Sequence, residues 1–265
     1  MSDRRENVLV VEQVVAGYGA EKVLDGVSLT VAPGEIVVVL GGSGSGKSTL
    51  LRCIVGLLPP WHGRVLVQGS DVNAAAGRER EEILRHVGMS FQSAALLNSM
   101  TVGENVALPI VEHWHLDDDT ALMLARMRLA RVGLAGAADK FPAELSGGMR
   151  KRAGLARAMA LEPNLLLCDE PSAGLDPITG RELDDLILDL KREEQMGIVV
   201  VTHELGSINT IADRAIMLAD GRVLAAGTLA EVRANPDPMV QAFFQRKTLD
   251  DRHERSVDDL LEPGA

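Results

Sequence analysis

The sequence predicts an α/β fold: a mainly parallel, doubly wound sheet with a helical insert and a small antiparallel β part near the N-terminus. Three observations predict it. The apolar run Ile36 to Leu40 leads straight into Gly41-Gly42-Ser43-Gly44-Ser45-Gly46-Lys47-Ser48-Thr49, and helical spacing follows at once. Residues 93–161 carry helical patterns with few β-branched runs. Beyond them, short Val- and Leu-rich runs alternate with amphipathic stretches, which is how a parallel sheet covered by helices reads in sequence.

Taken in order, Asn7 to Val15, Ser28 to Val31 and Ile36 to Leu40 are strand segments, punctuated by Gly17, Gly19, Pro33 and Gly34. From Lys47 to Leu57 a helix is expected, because Leu50, Leu51, Ile54, Val55 and Leu58 recur at spacings of three and four. A return strand lies near Gly63 to Gln68. Helices are expected at Asp117 to Val132 and Gly148 to Leu161 in the insert. Strands resume at Leu165 to Asp169, Gly197 to Thr202 and Arg214 to Leu218, with a helix over Thr179 to Glu194 between them. The domain is expected to span 7–227. Residues 228–265 form a C-terminal extension, in which Asn235-Pro236-Asp237-Pro238 breaks the chain, Met239 to Phe244 is a short apolar helix candidate, and Thr248 to Ala265 sets six acids against two bases.

At 265 residues and 46% hydrophobic content the chain buries one large core, or a core with a small subdomain. Its apolar runs are far shorter than the roughly 18 to 20 residues that cross a bilayer. The polar stretch Met1 to Asn7 lacks the apolar run of a signal peptide, so a cytosolic protein is expected, and any membrane role must come through a partner. A net charge of −11 argues against nucleic acid as a partner. Cys53 and Cys168 sit in apolar patterns without disulfide or metal spacing, so both are expected to be buried as small hydrophobes.

The glycine-rich loop is suited to holding phosphates. Gly41, Gly44 and Gly46 can turn successive N–H groups inward, and the following helix adds the partial positive charge of its N-terminus. Lys47 would reach the β and γ phosphates, and Ser48 would place its hydroxyl on Mg²⁺. Strand, loop and helix together give the context of a P-loop NTPase. Asp169 and Glu170 follow an apolar strand and emerge at its C-terminal end, where open α/β sheets bind ligands. Asp169 would serve the metal, and Glu170 would act as the general base toward water.

With Leu145-Ser146-Gly147-Gly148-Met149 lying between these two motifs, the chain resembles the ATP-binding subunits of ABC transporters from Tyr18 to about Gly227. That resemblance implies ATP and Mg²⁺ as cofactors and a homodimer closing on two interfacial ATP sites. It further implies that Tyr18 stacks on adenine with Val23 nearby, that Gln92 contacts Mg²⁺ and the attacking water, and that His203 hydrogen-bonds the γ phosphate. Ser146, Gly147, Gly148 and Met149 would complete the partner's site, since a helix N-terminus capped by Ser146 favours phosphate. Asp176, in Ser172-Ala173-Gly174-Leu175-Asp176, would face the partner's phosphate loop.

Family members usually carry Gln where this chain has Met149. Met149 followed by Arg150-Lys151-Arg152 is similar to the ATPases of MCE-type lipid transport systems, including the bacterial Mla phospholipid pathway, as are Phe91 to Pro109 and Asp237 to Phe244. This resemblance implies a peripheral protein on the cytoplasmic face of the inner membrane. Its partners would be membrane-embedded permease subunits, an MCE-domain protein and a small STAS-domain subunit. Met149 cannot make the hydrogen bonds of Gln and offers a flexible apolar contact instead. Two alternatives stay open: an ABC transporter ATPase for another small solute, and a soluble ABC ATPase acting on ribosomes or DNA. The latter typically has two ATPase domains or a long coiled-coil insertion, and this chain shows neither.

Overall fold

The structure is a computed structural model that describes residues 7–245. The expected polar N-terminus and the acidic stretch from Thr248 onward lie outside the described residues. Two sheets organise the chain. The first is antiparallel, in the order β2 (Glu21–Val31), β1 (Leu9–Tyr18), β4 (His62–Val67), β5 (Ser70–Asp71). Both β1 and β2 run longer than the glycine punctuation predicts. Gly17 lies inside the hairpin, where a Cβ would strike the Glu21 carbonyl, and Gly19 takes the left-handed turn with φ +59.

The second sheet runs β10 (Arg222–Thr228), β9 (Arg214–Ala219), β3 (Ile36–Leu40), β8 (Gly197–Val201), β7 (Leu165–Asp169), β6 (Val87–Ser90). Its pairs are parallel except for β10, which runs antiparallel to β9. Continuous apolar sequence in β3 and β8 is explained by burial on both faces. Ile36, Val38, Leu40, Leu166, Cys168 and Val200 pack under the helical insert, whereas Val37, Val39, Leu165, Leu167 and Val199 pack toward the antiparallel sheet and α1 (Lys47–Ile54). The parallel sheet thus divides two apolar cores. The fold class is the one that the alternating pattern predicts.

After α1, Gly56 with φ +67 turns the chain before the expected end at Leu57. Several elements carry no prior expectation, among them α2 (Gly77–Leu84), β6 and β10. The insert follows β6 and holds α3 (Val102–Trp114), α4 (Asp118–Arg131), a short 3₁₀ turn at Pro142–Glu144 and α5 (Gly147–Ala158). α3 begins in a capping box, with the Glu104 amide donating to Thr101 Oγ1 at 3.2 Å and the Thr101 amide to Glu104 Oε2 at 2.6 Å. Asn105, fully buried, donates to the carbonyls of Leu97, Met100 and Thr101 and accepts from the Leu97 amide, fixing the stretch between Gln92 and α3.

The sheet is completed by α6 (Pro177–Glu194) and α7 (Leu205–Ile211), and α8 (Leu229–Ala234) follows β10. Residues 229–245 fold back onto the insert-side core rather than hanging free. Val232 and Val240 are buried there, Phe243 and Phe244 meet edge to face at 5.3 Å, and the Arg233 guanidinium lies 5.2 Å from the Phe244 ring. Among the described residues no helix is long and apolar enough to cross a membrane. Cys53 and Cys168 are buried and free, with burial pushing their thiols up to about 11 and about 12.

Candidate active site

At the C-terminal ends of β3, β7 and β8 lies an open cleft of about 920 Å³. The sheet places the loop after β3, the acids after β7 and the histidine after β8 side by side. Gly41, Gly42, Ser43, Gly44, Ser45, Lys47 and Ser48 line it, together with Gln92, Asp169, Glu170 and His203. The loop conformation explains its composition. Gly41 has φ +145 beside the Leu218 carbonyl, and Gly46 has φ +103 with space for a Cβ closed by Leu24 Cδ2 at 2.6 Å. Thr49 turns inward and is buried on α1.

Lys47 Nζ donates to the carbonyls of Gly41 and Gly42, both at 2.8 Å. Burial holds its pKa below the usual lysine value, opposed by the carboxylates of Glu170 and Asp169. Asp169 is held above the usual carboxylate value, first by burial and then by neighbouring Glu170, with Lys47, Lys151 and Arg52 opposing. Ser48, Gln92 and Asp169 offer a hydroxyl, a carboxamide and a carboxylate to the cleft. Such a sparse oxygen set fits Mg²⁺, which keeps much of its water and takes its other ligands from phosphate.

Glu170 has φ +47, in the left-handed region that a non-glycine residue rarely adopts. Three contacts hold it there: its amide donates to the Val201 carbonyl at 2.8 Å, its carbonyl accepts from Lys151 Nζ at 2.9 Å, and its Oε1 lies 2.6 Å from His203 Nδ1. Oε2 is buried without a partner. The carboxylate at the cleft wall thus has one anchored oxygen and one buried oxygen without a hydrogen-bond partner. A carboxylate whose second oxygen has no protein partner keeps that oxygen available as a proton acceptor.

The other expected residues are placed elsewhere. Tyr18, 43% exposed at the end of β1, accepts a hydrogen bond from Arg52 Nη1 at 2.6 Å. Val23 lines a neighbouring groove with Lys22, Asp25, Asp220 and Arg222. Ser146 caps α5, its Oγ accepting from the Met149 amide at 3.2 Å. Gly148 lies so close to α6 that a Cβ would run into Thr179 Cγ2. Met149 packs against the insert-side core. Asp176 caps α6, accepting from the Ile178 and Thr179 amides; the Thr179 side chain and then its amide hold the Asp176 pKa below the usual value. Neither the segment from Ser146 to Met149 nor Asp176 lines the cleft of its own chain.

Sequence reading missed two contributors. Lys151 reads as one of three adjacent bases, yet it is buried against the Glu170 carbonyl; its place in the first turns of α5 was the available signal. Met239, Ala242 and Phe243 form an apolar wall of the cleft, which no local pattern could announce because they approach from the far end of the chain.

This fold and cleft define a nucleotide-hydrolysing cassette, and the family profile described as ABC transporter matches residues 24–173. The chain belongs to that family: it is the ATPase subunit of an ABC transporter. It is 42% identical to the intermembrane phospholipid transport system ATP-binding protein MlaF of Escherichia coli K12, over 90% of this chain and 88% of that protein. The MlaF of Haemophilus influenzae is 39% identical over 91% of each chain. A probable ribonucleotide transport ATP-binding protein, mkl, of Mycobacterium tuberculosis H37Rv is 37% identical over 90% of this chain and 67% of its own length. Among solved structures, the dimeric post-hydrolysis cassette MJ0796 bound to ADP and Pi superposes with a TM-score of 0.76 at 32% identity, covering 83% of this chain and 98% of that one. The structure of cbiO1 of Clostridium perfringens, part of the ABC transporter complex cbiONQ, gives 0.79 at 27% identity, over 94% and 99%. ABC cassettes act as dimers beside separate membrane permeases.

Proposed function

We propose that this subunit drives phospholipid transport in an MCE/Mla-type system, closing as a homodimer around two ATP molecules at the cytoplasmic face of the inner membrane. Its partners are a membrane-embedded permease, an MCE-domain protein and a small STAS-domain subunit. The observation that carries the catalytic reading is the Glu170–His203 pair, with Glu170 Oε2 buried and free beside the lysine-bearing loop. The lipid cargo is supported by the likeness to the MlaF proteins.

In this reading the loop amides from Gly41 to Gly46 and the N-terminus of α1 cradle the phosphates, and Lys47 exchanges its loop carbonyls for phosphate oxygens. Tyr18 stacks on adenine, with Val23 beside it. Ser48, Gln92 and Asp169 would hold Mg²⁺, which would offset the negative charge of the phosphates. Glu170 Oε2 accepts a proton from the attacking water, while His203 holds the carboxylate at Oε1 through Nδ1 and turns Nε2, which lies 3.3 Å from Glu204 Oε1, to the γ phosphate. Ser146, Gly147, Gly148 and Met149 close over the partner's nucleotide, and Asp176 meets the partner's phosphate loop.

The test is Glu170→Gln, which keeps the shape of the side chain and removes its basicity. Hydrolysis is expected to fall by about 10² to 10⁴, with ATP retained and a stable dimer seen by size-exclusion chromatography with light scattering. Unchanged turnover would remove Glu170 from the base role. For cargo, the chain is isolated from detergent-solubilised membranes with its partners, and a permease carrying phospholipid by mass spectrometry is expected. A permease without phospholipid argues for another solute; ribosomes or nucleic acid would sink transport altogether.

A further inference from the structure

Behind the cleft, three buried polar side chains outside the proposed chemistry connect three elements. Ser172 lies two residues after Glu170, in the loop that ends at the Asp176 cap of α6. Ser207 lies four residues after His203, in the first turn of α7. Asp184 is on the inner face of α6 and is only 3% exposed. Ser172 Oγ and Ser207 Oγ are 3.0 Å apart, the Asp184 carboxyl lies beside Ser207, and Asp184 Oδ1 is buried without a partner.

A fully apolar contact would hold these elements together at lower cost, because burying a carboxylate with a single hydrogen bond is unfavourable. Asp185 opposes its ionisation and Arg181 assists it; with burial dominating, the Asp184 carboxyl is pushed up to about 6. In its carboxylate form it can only accept. That form sets the sense of the chain of hydrogen bonds. Ser207 must donate to Asp184, which leaves its oxygen to accept the Ser172 hydroxyl.

We infer that Asp184, Ser207 and Ser172 are positioning residues for hydrolysis: the carboxylate orients Ser207, and Ser207 locks the loop carrying Glu170 to the helix that follows His203. The Glu170–His203 distance depends on where these two backbone segments sit relative to each other. Ser172 and Ser207 form the direct side-chain tie between them behind the cleft, and Asp184 anchors that tie to α6, the helix capped by Asp176. None of the three touches the cleft, so their effect falls on turnover and spares nucleotide affinity. The inference rests on the base role proposed for Glu170.

The experiment measures steady-state ATP hydrolysis by the full chain in its isolated transport complex, for Ser172→Ala, Ser207→Ala, their double variant, Asp184→Asn and Asp184→Leu. Misplacing a catalytic group by about 1 Å costs on the order of 10²-fold, so kcat is expected to fall about 10-fold or more in each serine variant, with KM for ATP within about twofold. The double variant should be no worse than the worse single one, since either break opens the same chain. Asp184→Asn keeps an acceptor and should restore most of kcat, whereas Asp184→Leu should match Ser207→Ala. If Asp184→Leu fails to fold, the serine variants and Asp184→Asn carry the test. Unchanged kcat in both serine variants, independent multiplying losses, or KM rising in step with kcat would overturn the inference. Glu170→Gln run alongside separates the two failures: if it abolishes turnover while the serine variants do not, the relay alone is wrong, and if it leaves turnover intact the base role itself falls.

Discussion

At the scale of single residues, the cleft concentrates charge that burial resists. Lys47 and Asp169 are both shifted toward their neutral forms by desolvation, and each is partly returned by the other's charge. At Asp184 burial and the neighbouring Asp185 outweigh Arg181, and this gives it a signature in stability. Between pH about 4 and about 6 the folded chain keeps a proton on Asp184 that the unfolded chain has already released. The stability from this group is fully present below its unfolded value of 3.8 and is lost as pH rises through its folded value of about 6. Asp184→Asn is therefore expected to raise the unfolding midpoint above wild type at pH 8, by the equivalent of about 1–3 kcal/mol, with the gap closing toward pH 4. Thermal unfolding at the two pH values measures this. That the glycine loop, Asp169 and Glu170 meet at one end of the sheet was legible in sequence because each sits in a local motif at a strand end, whereas His203 was expected there only through the family resemblance. Lys151 and Asp184 were not: a lysine among bases and an acid beside another acid look like a solvated face until tertiary packing buries them.

At the scale of elements, α5 and α6 meet closely. Gly148 allows the start of α5 to lie against Thr179, where any side chain would collide. Replacing a helix glycine with alanine ordinarily stabilises by about 1 kcal/mol. Here Gly148→Ala is expected to destabilise by about 1–3 kcal/mol through overpacking, and Thr179→Ser, which removes the colliding methyl, should recover most of that loss in a denaturant titration. Elements with strong periodicity, such as β3, β7, β8 and α6, were legible in sequence because burial of one or both faces writes the pattern directly. α2 was missed because only Ile83 of its eight residues is buried, β6 because four residues give too short a period, and β10 because Ala225, Ala226 and Gly227 carry little strand signal.

For the molecule as a whole, the segment after β10 belongs to the body of the protein. Ending the chain after Pro236 removes Val240 and Phe243 from the insert-side core and takes away one wall of the cleft. Such a truncation is expected to cost about 2–5 kcal/mol and to lower the thermal midpoint; an unchanged midpoint would mean that the segment is only loosely docked. The order of motifs and the alternation of elements were enough to give the architecture, whereas the return of residues 238–245 to the cleft depends on contacts some 200 residues apart in sequence. α5 is capped by Ser146, proposed to complete the partner's ATP site, and a few residues later Lys151 grips the carbonyl of Glu170, proposed as the base of its own site. A single helix thus answers to both nucleotides, so the two halves of the dimer should fire together. The Hill coefficient for ATP is expected above 1, and Lys151→Met should bring it toward 1 before turnover is lost.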